Sequence, residues 1–222
     1  MNEIRNSNNA SVSNSTPPLG VGGRSGGIVI INYGAGNIQS LKFAFKRLGI
    51  DAVLSHDEEE IRNADRVIFP GVGEAGSAMA KLKDTGLDQV IPTLTQPVLG
   101  ICLGMQLMCN SSTEGNTKGL GIFDVDVIRF PLNPKEGIKV PQIGWNQITD
   151  LKSELFKGIP EASFMYLVHS FYAPQCSEAI AFTEYGRKYA SALQKNNFYG
   201  VQFHPEKSAK VGEQILKNFL SI

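Results

Sequence analysis

The run Pro97-Val98-Leu99-Gly100-Ile101-Cys102-Leu103-Gly104-Met105-Gln106 constrains this chain more than any other. Val98 to Ile101 is short and apolar, as in a buried strand, and Leu103 to Cys109 reads as the start of a helix. Between them stands one cysteine flanked by glycines, G-x-C-x-G. This is the thiol form of the strand–turn–helix nucleophile elbow, whose sharp turn lifts a reactive atom clear of a sheet. Glycine is needed where a side chain would collide with the adjoining strand and helix. The turn also sets Cys102 at a helix N-terminus, where unpaired backbone N–H groups and the helix dipole favour negative charge. The same pattern fits a buried structural cysteine, so the rest of the chain must decide.

A single domain with a full core is feasible for 222 residues that are 42% hydrophobic. Basic and acidic residues balance at 21 each, so nothing in the charge points to nucleic acid or to a membrane surface. No apolar run approaches the roughly 20 residues of a membrane span. Cys102, Cys109 and Cys176 form neither a paired framework nor a C-x-x-C metal spacing, and no secretion signal stands out. A reducing, cytoplasmic setting is expected, with no metal and no cofactor.

Residues 1 to about 26 are rich in Asn, Ser, Gly and Pro and are expected to be a disordered tail. The glycosylation-like triplets there, at Asn9 and Asn14, read as chance matches. From residue 27 to 222 one domain is expected. Ile28 to Ile31 is continuous and apolar, as in a central parallel strand. Ile38, Leu41, Phe45 and Leu48 follow at helical spacing up to Gly49. Ala52-Val53-Leu54 and Arg66 to Phe69 read as strands; His56 and the acidic run Asp57 to Glu60 between them read as a solvated face. A helix carrying Met79 and Leu82 and a shorter one from Leu87, broken near Pro92, precede the elbow. This alternation predicts an α/β fold, a doubly wound and mostly parallel sheet with flanking helices. Beyond Gly121 the texture changes to a smaller antiparallel region. It begins with the strand Phe123 to Val127, and more strand-like segments are expected at Lys139–Ile148, Phe164–Phe171, Ala179–Thr183, Tyr189–Leu193 and Tyr199–Phe203. An amphipathic helix with Val211, Ile215 and Phe219 on one face closes the chain.

Two motifs bear on chemistry. Gly71-Val72-Gly73-Glu74-Ala75-Gly76 matches a dinucleotide fingerprint, yet it follows the third strand, and no acidic residue ends the next strand to hold a ribose. The alternative is a glycine loop that presents backbone N–H groups to developing negative charge. His204-Pro205-Glu206 follows the last strand, so His204 can reach an elbow cysteine at the carboxyl edge of the sheet. Glu206 can then fix the imidazole through its other nitrogen. A plain surface turn set by Pro205 is the bland alternative. His169 could border the same pocket, but no carboxylate is near it in sequence.

Taken together, Cys102, His204 and Glu206 with Pro70-Gly71-Val72-Gly73 and the elbow resemble a class I (triad) glutamine amidotransferase. Gly34-Ala35-Gly36-Asn37, Lys118-Gly119-Leu120-Gly121, Pro141-Gln142-Ile143-Gly144-Trp145-Asn146 and His204-Pro205-Glu206-Lys207-Ser208 narrow the resemblance to the glutaminase subunits of imidazole glycerol phosphate synthases, enzymes of histidine biosynthesis. The likeness implies that Cys102 attacks glutamine, His204 moves the proton and Glu206 orients His204. It implies an oxyanion hole from the Leu103 N–H and a backbone N–H around Gly71 and Val72. By the same likeness Gly73, Gln106 and Glu114, with the strand edge His169-Ser170-Phe171, bind glutamine. The ammonia is expected to pass to a heterodimer partner, a (βα)8-barrel cyclase docked on Asn37, Trp145 and Lys207. The cyclase uses it to form imidazole glycerol phosphate and an aminoimidazole carboxamide ribotide. An exposed tryptophan suits such an anchor, whereas a core aromatic is the plain alternative. The chain departs from the family where His-Met is commoner than Gln142-Ile143 and tyrosine commoner than Phe171. Glutaminases of vitamin B6 or anthranilate synthesis are disfavoured by the Gly-Trp-Asn and Pro-Gly-Val-Gly stretches. A non-catalytic α/β binding module is disfavoured by the three triad side chains occurring together.

Overall fold

Ile28–Ile31 forms β1, and both of its faces are buried, as its unbroken apolar character requires. Ile28 and Ile30 enter one core cluster with Phe45, Ile215 and Phe219, whereas Val29 and Ile31 enter another with Met79, Leu82 and Leu87. The period-2 alternation of a strand thus divides one apolar run between two layers of helices. The computed structural model describes residues 27–34, 36–131 and 138–222. The expected tail, with Asn9 and Asn14, and Ala35 of the Gly-Ala-Gly-Asn stretch lie outside the described residues.

After β1 come α1 (Ile38–Arg47), β2 (Val53–Ser55), α2 (Glu58–Asn63), β3 (Arg66–Gly71), α3 (Ala75–Asp84), α4 (Leu87–Val90), β4 (Val98–Cys102) and α5 (Leu103–Leu107). The remainder comprises β5 (Cys109–Ser112), β6 (Thr117–Lys118), β7 (Phe123–Arg129), β8 (Gln142–Ile148), β9 (Ser163–His169), β10 (Phe171–Tyr172), β11 (Ala179–Glu184), β12 (Lys188–Lys195), β13 (Phe198–Val201) and α6 (Ala209–Ser221). The main sheet has the order β11-β12-β13-β4-β3-β1-β2. Its strands β2, β1, β3, β4 and β13 are parallel, and β12 and β11 extend it as antiparallel neighbours. A four-stranded sheet, β10-β7-β5-β6, and a two-stranded ribbon, β8-β9, complete the fold. This is the expected doubly wound architecture, and it sets the carboxyl ends of β3, β4 and β13 side by side.

Three local expectations need correction. The helix after Cys102 ends at Leu107, and Cys109 opens β5. Its last carbonyls are taken from outside: Leu120 N–H donates to Leu107 O, and Ile122 and Phe123 N–H donate to Met108 O. The acidic run is exposed, as expected, and supplies the cap and first turn of α2, where Asp57 accepts from the Glu60 N–H at 2.9 Å. β7 pairs antiparallel with β10 yet parallel with β5. The expected strand Phe164–Phe171 is two strands, β9 and β10, parted at Ser170.

The helix–strand contact at the elbow is close enough to test. A Cβ on Gly104 would collide with the carbonyl oxygen of Phe69 in β3. Backbone cannot yield as a flexible side chain does, so Gly104→Ala is expected to destabilise the fold by about 1–3 kcal/mol or more in denaturant unfolding. Gly27→Ala, where nothing lies within 4 Å, is expected to be neutral.

Candidate active site

Cys102 sits on the elbow with φ +54° and ψ −112°, a backbone conformation that side chains rarely adopt. Its neighbours make that turn feasible. A Cβ on Gly100 would lie 2.9 Å from the Met105 nitrogen, and one on Gly71 would lie 2.6 Å from the Gly104 nitrogen. Glycine at Gly71, Gly100 and Gly104 therefore lets α5 lie directly on β3 and β4. The register pairs Gly71 with Cys102, so the glycine loop begins beside the thiol.

His204 follows β13 and is held at three points. Its backbone N–H donates to Tyr166 O at 2.9 Å, Ser208 Oγ donates to its carbonyl at 2.6 Å, and Nδ1 lies 2.8 Å from Glu206 Oε1. Both side chains are buried, His204 at 3% and Glu206 at 1% exposure. With Nδ1 committed to Glu206, Nε2 is left without a hydrogen-bond partner on the side of the elbow. Burial opposes a charge on this imidazole, but Cys102 and Glu206 together outweigh it and raise its pKa to about 10.

Cys102 and His204 line one cavity of about 290 Å³, and so do Val72, Gly73, Leu103, Gln106, Glu114, His169, Ser170 and Phe171. Ten of the residues singled out in the sequence thus share one wall. Glu206 stands behind His204, and Gly71 lies beneath the elbow. Gln202 is a further polar residue at this site. It is fully buried, its Nε2 donates to Cys102 Sγ at 3.7 Å, and its Oε1 accepts from Gln106 Nε2 at 2.8 Å. The sequence signal was an amide between Val201 and Phe203, two buried apolar residues.

His169 is not a second base. Its Nδ1–H donates to the Phe171 carbonyl at 2.7 Å, and its Nε2 lies 3.2 Å from Tyr189 Oη. Burial, aided by the nearby charge of His204 and opposed by the Phe171 carbonyl, lowers its pKa to about 4. The ring is neutral at physiological pH.

The fingerprint-like glycine loop does not have the character of a phosphate site. The first N–H groups of α3 are already spent on carboxylates: Gly76 and Ser77 donate to Glu74 at 2.8 and 2.7 Å, and Ala75 donates to Glu114 at 2.9 Å. A pyrophosphate would meet two carboxylates there. Glu114 is thereby fixed at the cavity wall, its carboxyl raised by burial, partly offset by the Ala75 N–H. Gly73, at φ +99°, makes the turn between β3 and α3.

The three residues expected to meet a partner stand outside the cavity. Trp145 is 51% exposed and is no core aromatic. It meets the Tyr166 ring edge-on at 6.1 Å, and Lys207 Nζ lies 5.7 Å from that ring's centre. Tyr166 in turn lies 6.5 Å from the His204 ring. Asn37 precedes α1 half-exposed, and its side chain makes no capping bond. The exposed face of the β8-β9 ribbon continues this surface with Ile143 and Phe164.

Comparison with known proteins points to one family. Residues 29–222 match the model of the family described as glutamine amidotransferase class-I. Over 195 residues the chain is 54% identical to the imidazole glycerol phosphate synthase subunit HisH of Bacteroides thetaiotaomicron, covering 88% of this chain and 99% of that one. Over 199 residues it is 47% identical to the protein of the same name from Shewanella sediminis, covering 87% and 90%. Among solved structures, PurLQS from Thermotoga maritima superposes with a TM-score of 0.64 at 13% identity, covering 87% of this chain and 97% of that one. A crystal structure described as a glutamine amidotransferase does so with a TM-score of 0.68 at 17% identity, covering 88% and 98%. These two share the fold. With a family match over nearly all of the described chain and near-full-length relatives this similar, the chain belongs to the class-I glutamine amidotransferases, among the relatives of the synthase subunit HisH.

Proposed function

We propose that this chain is the glutaminase subunit of an imidazole glycerol phosphate synthase. The observation that carries the reading is Cys102 on a strained elbow, sharing one cavity with a buried imidazole that Glu206 backs at 2.8 Å. Cys102 Sγ attacks the side-chain amide carbon of glutamine, and the thiol proton resides on His204. The oxyanion that forms is stabilised by the Leu103 N–H and by a backbone N–H around Gly71 and Val72. As the C–N bond breaks, His204 returns the proton to the leaving nitrogen, which departs as ammonia. Water then attacks the glutamyl thioester with His204 as base, and glutamate leaves with the thiol restored. Glu206 keeps the imidazole in its tautomer and supports its charge through the cycle. Glutamine's α-ammonium suits the Glu114 carboxylate, and its α-carboxylate suits backbone N–H groups of the Gly73 and Ser170 walls.

The ammonia passes to a (βα)8-barrel cyclase subunit docked on the Asn37, Trp145 and Lys207 face. An exposed indole packed on Tyr166, one aromatic ring away from His204, is the kind of anchor on which interfaces concentrate their energy. Among the described residues no helix is long and apolar enough to cross a membrane, and all three cysteines are free thiols, as suits a reducing cytoplasm.

In the assembled synthase, Cys102→Ala is expected to abolish glutamine-dependent synthesis and to leave ammonia-dependent synthesis by the barrel intact. Retained glutaminase activity in that variant would remove Cys102 as the nucleophile. Trp145→Ala is expected to weaken binding between the two subunits by about tenfold or more, read by titration calorimetry; unchanged affinity moves the interface elsewhere.

The charge on His204 gives a pH prediction. Its folded pKa, about 10, lies above the ordinary value of 6.5, so the stabilisation it brings is complete below about pH 6.5 and is lost as pH rises through about 10. Glu206→Gln removes one of the two groups that raise it. NMR titration of the His204 ring is expected to show its pKa fall toward the ordinary range in that variant; an unchanged pKa would contradict the pairing.

A further inference from the structure

Three buried polar side chains that the proposed chemistry leaves idle stand in line behind the cavity wall. His169 ends β9, Gln142 opens β8 opposite it in register, and Tyr189 comes from β12. Their exposures are 6%, 3% and 0%. The Tyr189 hydroxyl lies 3.0 Å from the Gln142 side-chain amide and 3.2 Å from His169 Nε2; with that amide turned so that its N–H donates to Tyr189 Oη, the single hydroxyl proton goes to the unprotonated Nε2. On its far side, the His169 Nδ1–H donates to the Phe171 carbonyl at 2.7 Å. Gln106 Nε2 donates to that same carbonyl at 2.8 Å and also to Gln202, which donates to Cys102 Sγ. One hydrogen-bonded line therefore runs from Gln142 to the elbow.

The geometry at Phe171 explains what this line does. A carbonyl oxygen has two lone pairs, and here His169 and Gln106 take both. The Phe171 carbonyl is thus withdrawn from the cavity as an acceptor, and the edge His169-Ser170-Phe171 is held in one shape. That hold depends on the orientation of the imidazole. Turned over, the ring would set a carbon against the carbonyl. Tyr189 Oη on Nε2 fixes which way round the ring sits, while the Phe130 and Tyr189 rings, at 5.3 and 5.5 Å, confine its plane. Gln142 in turn anchors the Tyr189 hydroxyl.

We propose that Tyr189 and Gln142 are positioning residues for glutamine binding, acting through His169 on the Phe171 carbonyl and the strand edge that it shapes. The inference rests on the glutaminase reading. It extends that reading to two residues that touch neither glutamine nor the reacting atoms. Removing the Tyr189 hydroxyl or the Gln142 amide frees the imidazole to turn, returns a carbonyl lone pair to the cavity and loosens the edge. Chemistry at Cys102 keeps its own supports, so the effect falls on binding.

The test compares the assembled synthase with Tyr189→Phe and Gln142→Leu variants. The kinetic readout is KM and kcat for glutamate release from glutamine; the spectroscopic one is the ring ¹⁵N spectrum of His169. Each variant is expected to raise KM roughly three- to tenfold with kcat within about twofold, and to move the His169 nitrogens from a pure Nδ1–H pattern toward a mixture. Unchanged KM, or an unchanged tautomer beside a lowered melting temperature alone, overturns the proposal. Tyr189→Phe keeps the ring and its packing, so it decides if Gln142→Leu does not fold. An unsubstituted protein that releases no glutamate would overturn the glutaminase reading itself, and that failure shows before either variant is made.

Discussion

The contact of Gly104 with the Phe69 carbonyl is the one on which the rest of the site depends. It allows α5 to begin directly on β3, with no side chain between helix and strand. Three consequences follow from that single approach. Cys102 must turn through a positive φ to join β4 to α5. Leu103 becomes the first residue of the helix, its N–H free of an intrahelical partner. Gly71, paired with Cys102 in register, brings the glycine loop to the same place. An oxyanion site between two backbone segments needs them this close, and larger residues at these glycines would force them apart.

Against this backbone frame the polar groups are deeply buried, and each is costly unless paired. The His204–Glu206 pair is the extreme case, with both side chains almost wholly shielded. Breaking such a pair by removing one partner costs about 3–5 kcal/mol because the other is left uncompensated. That cost makes the imidazole's place and charge well defined, which acid–base work requires. Gln106, Gln202 and His169 extend the same logic across the cavity floor, where hydrogen bonds rather than charges hold the wall.

Much of this was legible in the sequence, because it is written locally. The elbow, β1 and the closing helix α6 are runs whose apolar spacing or glycine pattern determines their form. The His-Pro-Glu stretch puts imidazole and carboxylate two residues apart, and the structure joins them at 2.8 Å. What was not legible depends on distant partners. The helix after Cys102 is cut short at Leu107 because residues 120 to 123 take its last carbonyls, a fact absent from the local pattern. β7 pairs in opposite senses with two strands, which alternation alone does not specify. Gln142 and Tyr189 lie 47 residues apart and become one unit only when β8 and β12 meet the end of β9. The cap at Asp57 is the exception: Asp57 with Glu60 three residues on was a readable start of α2.

The central claim is that, of three free thiols, Cys102 alone is set up to attack a glutamine amide. The other two are held inert by burial first of all, which pushes Cys109 well above the ordinary thiol range and raises Cys176 as well. The most direct measurement is peptide-mapped mass spectrometry after brief exposure to an electrophilic glutamine analogue, with and without excess glutamine. The account predicts a single adduct on Cys102 that glutamine suppresses. Equal labelling of Cys109 or Cys176, or labelling of Cys102 that glutamine leaves unchanged, would contradict it.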